Sequence, residues 1–174
     1  MLERGCVQVY TGNGKGKTTA ALGLAFRAVG RGLRVCFFQF IKGGPLCGEH
    51  MLAEKLAPLL TVIRSGLPGW VNRKDRSADR KAAQEALELA TKHLTSGDYD
   101  LVILDEINGA TSYGLIDVEQ VLELIRLKPE KVELVLTGRN ASEQVIAAAD
   151  LVTEMRNVKH YYQAGVPART GIEM

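Results

Sequence analysis

The sequence predicts an α/β fold built on a mostly parallel sheet flanked by helices. Three observations lead there. Short segments rich in β-branched residues recur along the chain, stretches with helical periodicity separate them, and several strand segments are apolar on successive residues, as strands covered on both faces must be. In chain order the strand candidates are residues 6–10, 34–40, 60–64, 101–104, 133–136 and 151–154. Helices are expected between them over residues 17–30, 49–55, 77–94, 118–127 and 142–149. The third helix is the clearest: Ala82, Ala83, Ala86, Leu87, Ala90 and Leu94 form one apolar stripe, and Asp79, Arg80, Glu85, Glu88 and Lys92 face away from it. Gly30-Arg-Gly32 and Ser96-Gly-Asp98 supply stops, because glycine accepts the left-handed conformation that ends a helix. Residues 157–174, which include Gly165, Pro167 and Gly171, read as irregular. No internal repeat, low-complexity tract or interdomain linker interrupts the pattern, so residues 1–174 are read as one domain.

Composition narrows the function. At 174 residues, with 46% hydrophobic and 24% charged, the chain is an ordinary globular domain that needs no metal or disulfide staple to hold a core. A net charge of +2, with the basic residues scattered, gives no nucleic-acid surface. Cys6, Cys36 and Cys47 show neither CxxC spacing nor a His-rich neighbourhood, and read as reduced thiols rather than zinc ligands. There is no apolar leader and no run approaching the roughly 18 residues that span a bilayer, which points to a cytoplasmic protein with no membrane partner.

The strongest motif is Thr11-Gly-Asn-Gly-Lys-Gly-Lys-Thr-Thr19, between the first strand and the first helix. Glycines at 12, 14 and 16 let the backbone curl so that successive N–H groups point inward. The helix N-terminus adds positive potential and Lys17 a full charge. Thr18 is placed to ligate Mg²⁺, and Lys15 is a second cation that either helps neutralise a polyphosphate or is merely solvated. The general phosphate-loop pattern would begin with glycine at position 11, where this chain has Thr11.

A second motif, Leu101-Val-Ile-Leu-Asp-Glu106, is an apolar strand ending in two carboxylates. It delivers acids to the carboxyl edge of the sheet, where open α/β folds bind ligands. Either Asp105 or Glu106 can take Mg²⁺, directly or through water. Thr137-Gly-Arg139 ends the fifth strand at the same edge and can clamp a phosphate or form a surface salt bridge. Arg27 has both a solvated and a nucleotide-contact reading. Gln39 and Lys42, beside Gly43-Gly-Pro45, are either ligand contacts or ordinary surface. Trp70 in its Gly/Pro-rich loop is a core plug or the apolar wall of a large ligand site, and the 158–162 run is a lid or a packed tail, with His160 read as structural.

Taken with Gln39-Phe-Ile-Lys-Gly43, Ala149-Asp-Leu-Val-Thr-Glu154, Val158-Lys-His160, Ala164-Gly165 and Gly171-Ile-Glu173, these motifs make the chain resemble the ATP:corrinoid adenosyltransferases of the CobA/BtuR/CobO type over nearly its whole length. Thr11 is itself usual in that family. The resemblance implies a P-loop NTPase core of the RecA-like kind and transfer of the 5′-deoxyadenosyl group of ATP to the Co(I) of a reduced corrinoid, with release of triphosphate. It implies ATP binding by Gly12, Asn13, Gly14, Lys15, Gly16, Lys17, Thr18, Thr19, Arg27 and Arg139, and Mg²⁺ (or Mn²⁺) on Thr18 and Glu106 with Asp105 behind them. Trp70 and Tyr162 would lie against the corrinoid. No general base is needed, because Co(I) has no proton to lose. A homodimer and a flavoprotein reductant are implied as partners. The rival readings are a P-loop NTPase or small-molecule kinase, with Glu106 polarising the nucleophile, and a carrier that delivers the coenzyme without turnover.

Overall fold

The computed structural model describes residues 2–68, 71 and 75–174. Its strands are β1 (Val7–Thr11), β2 (Val35–Phe40), β3 (Leu60–Ser65), β4 (Leu101–Asp105), β5 (Glu133–Thr137) and β6 (Leu151–Glu154). The helices are α1 (Lys17–Val29), α2 (Gly48–Leu56), α3 (Ser77–Thr95), α4 (Ile107–Ser112), α5 (Val118–Leu127) and α6 (Glu143–Ala148), and a 3₁₀ turn spans Tyr161–Ala164. Each expected strand and helix forms within a residue of its expected ends. The exception is α4, which the sequence does not announce: Ile-Asn-Gly-Ala-Thr-Ser is poor in helix formers. Burial of Ile107, Asn108, Gly109 and Ala110 overrides that propensity.

The strands form one sheet in the order β3-β2-β4-β5-β1-β6, with every neighbouring pair parallel. Alternate strand residues feed two cores. On one face Ala21, Ala25 and Ala28 of α1 pack on Val35, Phe37, Ile103 and Val135, small residues that let the helix lie close to the sheet. On the other, the α3 stripe and α5 cover Phe38, Val102, Leu104 and Leu136. Central strands β2 and β4 are buried at every position, which explains their unbroken apolar runs. Cys36 sits among them, its thiol pushed up to about 12 by burial, and all three cysteines are free. Among the described residues no helix is long and apolar enough to cross a membrane.

The topology fixes what meets at the carboxyl edge. Gln39 of β2 stands opposite Asp105 of β4, Leu104 opposite Leu136, and Tyr10 of β1 opposite Thr137. Strand β5 thus separates the strand that enters the phosphate loop from the strand that ends in the acids.

Candidate active site

The loop after β1 is shaped by what lies beneath it. Gly12 has a φ of +94°, and a Cβ there would stand 2.5 Å from the Met155 carbonyl oxygen. At Gly14 a Cβ would stand 2.7 Å from that of Arg156, and the Gly14 N–H donates to the Met155 carbonyl at 2.7 Å. Residues 155–156, just past β6, therefore form the floor of the loop. Thr11 needs no glycine freedom. It ends the strand, its carbonyl accepts from the Met155 N–H at 2.9 Å, and its hydroxyl accepts from the Ala141 N–H at 3.3 Å.

Helix α1 begins with no side-chain cap, so the N–H groups of its first turn are open to an anion. Lys17, 6% exposed, curls into the loop and donates to the carbonyls of Gly12 and Gly14, each at 2.8 Å. Burial lowers the pKa of its ammonium group; Glu106 and Asp105 oppose that shift, while Arg139 and Lys42 add to it.

Asp105, fully buried, is the centre of the site. The Thr18 hydroxyl lies 3.0 and 3.2 Å from its two oxygens. The Thr137 hydroxyl donates to Oδ1 at 2.6 Å while accepting the Glu106 N–H at 3.0 Å. Lys42 Nζ contacts Oδ2 at 2.5 Å and the Thr18 hydroxyl at 3.1 Å. A buried carboxylate requires such company, and these groups supply it.

Glu106 follows at a φ of +64°, and its carboxylate lies over Gly109 of α4, with Oε2 2.8 Å from where a Cβ there would stand. Burial, and next the charge of Asp105, raise its pKa; Lys42, Lys17 and Arg139 pull the other way. The Thr18 hydroxyl and the two carboxylates are hard oxygen donors of the sort a Mg²⁺ ion takes, and the Lys42 ammonium already lies against Asp105 and Thr18. The donor set fits a divalent cation.

Lys17, Thr18, Asp105, Glu106 and the electrostatic reach of Arg139 thus come together as the sequence expects. The hydrogen bond from Thr18 runs to Asp105 rather than to Glu106. Asn13 and Lys15 are exposed in the loop, and Thr19 in the first turn of α1. Arg27 is exposed in the last turn of α1, ~15 Å of helix rise beyond Lys17, and is not drawn into the cluster. Tyr162 is 75% exposed on the 3₁₀ turn, and Trp70 lies outside the described residues. Lys42, left open between ligand contact and surface, proves central. Its sequence signals are its place two residues past β2, beside Gly43-Gly-Pro45, and its position in the Gln39–Gly43 motif. The two roles of Thr137 have no local signal at all.

The fold and this cluster define a protein of the P-loop NTPase class with the RecA-like insertion of a strand between phosphate loop and acidic strand. FlaH, the flagellar accessory protein of Methanocaldococcus jannaschii, superposes with a TM-score of 0.61 at 14% identity, covering 88% of this chain and 72% of its own, a likeness of fold. Over residues 3–174 the chain matches the family described as ATP:corrinoid adenosyltransferase BtuR/CobO/CobP, and it belongs to that family. It is 39% identical to the corrinoid adenosyltransferase of Escherichia coli K12 over 171 residues, covering 98% of this chain and 86% of that one. The Pseudomonas aeruginosa corrinoid adenosyltransferase is likewise 39% identical, at 98% and 84% coverage, as is the corrinoid adenosyltransferase CobA of Salmonella typhimurium, at 98% and 86%.

Proposed function

We propose that this chain, as one domain over residues 1–174, transfers the 5′-deoxyadenosyl group of ATP to the Co(I) of a reduced corrinoid and releases inorganic triphosphate. The observation that carries the reading is the build of the site around Asp105. Thr18, Thr137 and Lys42 engage both of its oxygens beside the phosphate loop, an arrangement suited to a divalent cation and a polyphosphate. A reaction whose nucleophile is a metal electron pair needs no general base besides.

In that reaction the C5′–O bond breaks as the Co–C bond forms. The cobalt electron pair enters the new bond, and the bond pair of C5′–O leaves on the triphosphate. Charge therefore grows on the leaving group, and stabilising it is the work of the loop. The N–H groups of the loop and of the first turn of α1 through Thr19, Asn13 among them but not Gly14, which donates to Met155, line the polyphosphate. Lys17 exchanges its two carbonyl partners for phosphate oxygens, and Lys15 and Arg139 flank the chain of charge. Arg27, on the outer face of α1, is assigned to the part of the nucleotide farthest from the loop. Thr18 with Asp105 or Glu106 would hold Mg²⁺ (or Mn²⁺), which when bound supplies neutralising charge to the triphosphate. Lys42 would leave Asp105 as that ion arrives and turn to the phosphates.

Tyr162 and Trp70 are assigned to the corrinoid, where apolar surface excludes water from a strongly reducing metal. A flavoprotein reductant would supply the electron that makes Co(I). A homodimer is supported by edge strand β6, exposed along its length with Leu151 at 46% and Val152 at 41%. The rival kinase reading rests on Glu106, the carboxylate that faces Lys17, Lys42 and Arg139 and has an elevated pKa.

The test is anaerobic incubation with ATP, Mg²⁺ and chemically reduced cob(I)alamin, followed by corrin absorbance before and after illumination. A light-sensitive adenosylcorrinoid that Lys17→Ala fails to form is the expected result. ADP and phosphate with an unchanged corrinoid would transfer the assignment to the kinase or NTPase class.

A further inference from the structure

The loop after β2 delivers a second cluster at the start of α2. Cys47, Glu49 and His50 each offer one ligand atom there, and these atoms lie within 4.8 Å of one another. All three side chains are half-buried, so the cluster is reached from solvent.

What sets it apart from a chance gathering is Gln39, 1% exposed at the carboxyl end of β2. Its Nε2 donates to Glu49 Oε1 at 2.9 Å, and its Oε1 lies 2.8 Å from His50 Nε2. A carboxylate oxygen only accepts, so the amide nitrogen must face Glu49 and the amide oxygen His50. An amide oxygen also only accepts, so the imidazole proton resides on Nε2. Nδ1 therefore carries the lone pair. It is turned toward Cys47, whose N–H donates to it at 2.9 Å. A histidine whose far nitrogen donates to a carbonyl while its near nitrogen stays unprotonated is oriented as metal-bound histidines are, and the same amide also steadies the carboxylate.

We infer that Cys47, Glu49 and His50 form a binding site for a borderline-soft divalent cation of the Zn²⁺ type, with a fourth position left open. The donor set decides the class: thiolate and imidazole favour zinc, whereas the all-oxygen groups at Asp105 suit magnesium. On binding, the thiol proton goes to solvent and the Cys47 N–H gives up Nδ1 to the metal. Thiolate and carboxylate then balance the two positive charges. The ion would fasten the start of α2 to β2 through the loop that carries Lys42. The spacing Cys-x-Glu-His matches no common zinc pattern, and the link to Gln39 depends on the fold, which is why the sequence reads these thiols as plain.

The full-length reduced protein is titrated anaerobically with Co²⁺ as a spectroscopic stand-in, without nucleotide. The expected signature is a thiolate-to-cobalt charge-transfer band in the near ultraviolet with the strong visible bands of tetrahedral Co²⁺. Zn²⁺ should abolish both, and excess Mg²⁺ should leave both intact. Cys47→Ser, which keeps an oxygen to cap α2, should lose the charge-transfer band, and His50→Ala should bind at least tenfold more weakly. Gln39→Ala should weaken binding by about 10–100-fold. Cys6→Ser should change nothing. Absence of the band, its persistence in Cys47→Ser, or its loss in Cys6→Ser would overturn the assignment.

Discussion

Asp105 shows at the residue scale how the site is held before any ligand arrives. Its charge is met by two hydroxyls and one ammonium group, and each of those has a second task. Thr137→Val removes a donor to Asp105 and the acceptor of the Glu106 N–H in one step, so urea denaturation should report a loss of about 1–3 kcal/mol. An unchanged midpoint with unchanged slope would show that those bonds are replaced. Lys42 competes for the position a divalent cation would take. Lys42→Met should therefore bind Mn²⁺ about tenfold more tightly in the nucleotide-free protein, equivalent to about 1.4 kcal/mol, by electron paramagnetic resonance. The same variant should make adenosylcorrinoid more slowly, having lost a cation beside the leaving group. Weaker Mn²⁺ binding would mean that Lys42 builds the site instead of guarding it. Lys17, Thr18 and the acid pair were legible in the sequence because each belongs to a local motif. Lys42 was visible only as a candidate ligand contact; its pairing with Asp105 was not, because that depends on β2 lying beside β4 with Gln39 opposite Asp105.

Among the elements, the phosphate loop and its floor behave as one unit. Gly12→Ala combines a φ of +94° with a contact at 2.5 Å to a backbone oxygen, neither of which a small shift relieves. It should lower thermal stability and abolish ATP binding by calorimetry; Gly97→Ala, strained at a φ of +79° but with nothing near, should leave ATP binding intact. The sequence located glycines at the right positions but gave no hint of this floor, since residues 155–156 are brought there by β6. Helix α4 was hidden for the opposite reason: its local composition argues against a helix and its burial decides for one. The carboxyl-terminal segment, read as irregular, is tied by Glu173, which accepts from Arg169 and from the Tyr161 hydroxyl. Arg169 first, then Tyr161, hold the Glu173 carboxyl down to about 2 from an ordinary 4.5. A pKa depressed in the folded chain stabilises it above the unfolded value, so this tie should be complete above about pH 4.5 and lost as pH falls through about 2. The Tyr161 ring resonances should report that transition by nuclear magnetic resonance, and a midpoint near 4.5 would show that the tie does not form in solution.

For the whole molecule, the alternation of strands and helices foretold the parallel sheet, yet nothing local gives the order β3-β2-β4-β5-β1-β6. That order is what matters for chemistry. It sets β5 between loop and acids, so that Thr137 reaches Asp105 and Arg139 is felt by Lys17 and Glu106 alike. In the proposed reaction these cations would surround the triphosphate, beside a buried acid held by hydrogen bonds. The central claim is that bond cleavage occurs at carbon, so that three phosphates depart as one. Phosphorus magnetic resonance of the anaerobic reaction with ATP and reduced corrinoid tests this directly. The account predicts one intact inorganic triphosphate for each adenosylcorrinoid formed. Orthophosphate with ADP, appearing whether or not the corrinoid is present, would contradict it.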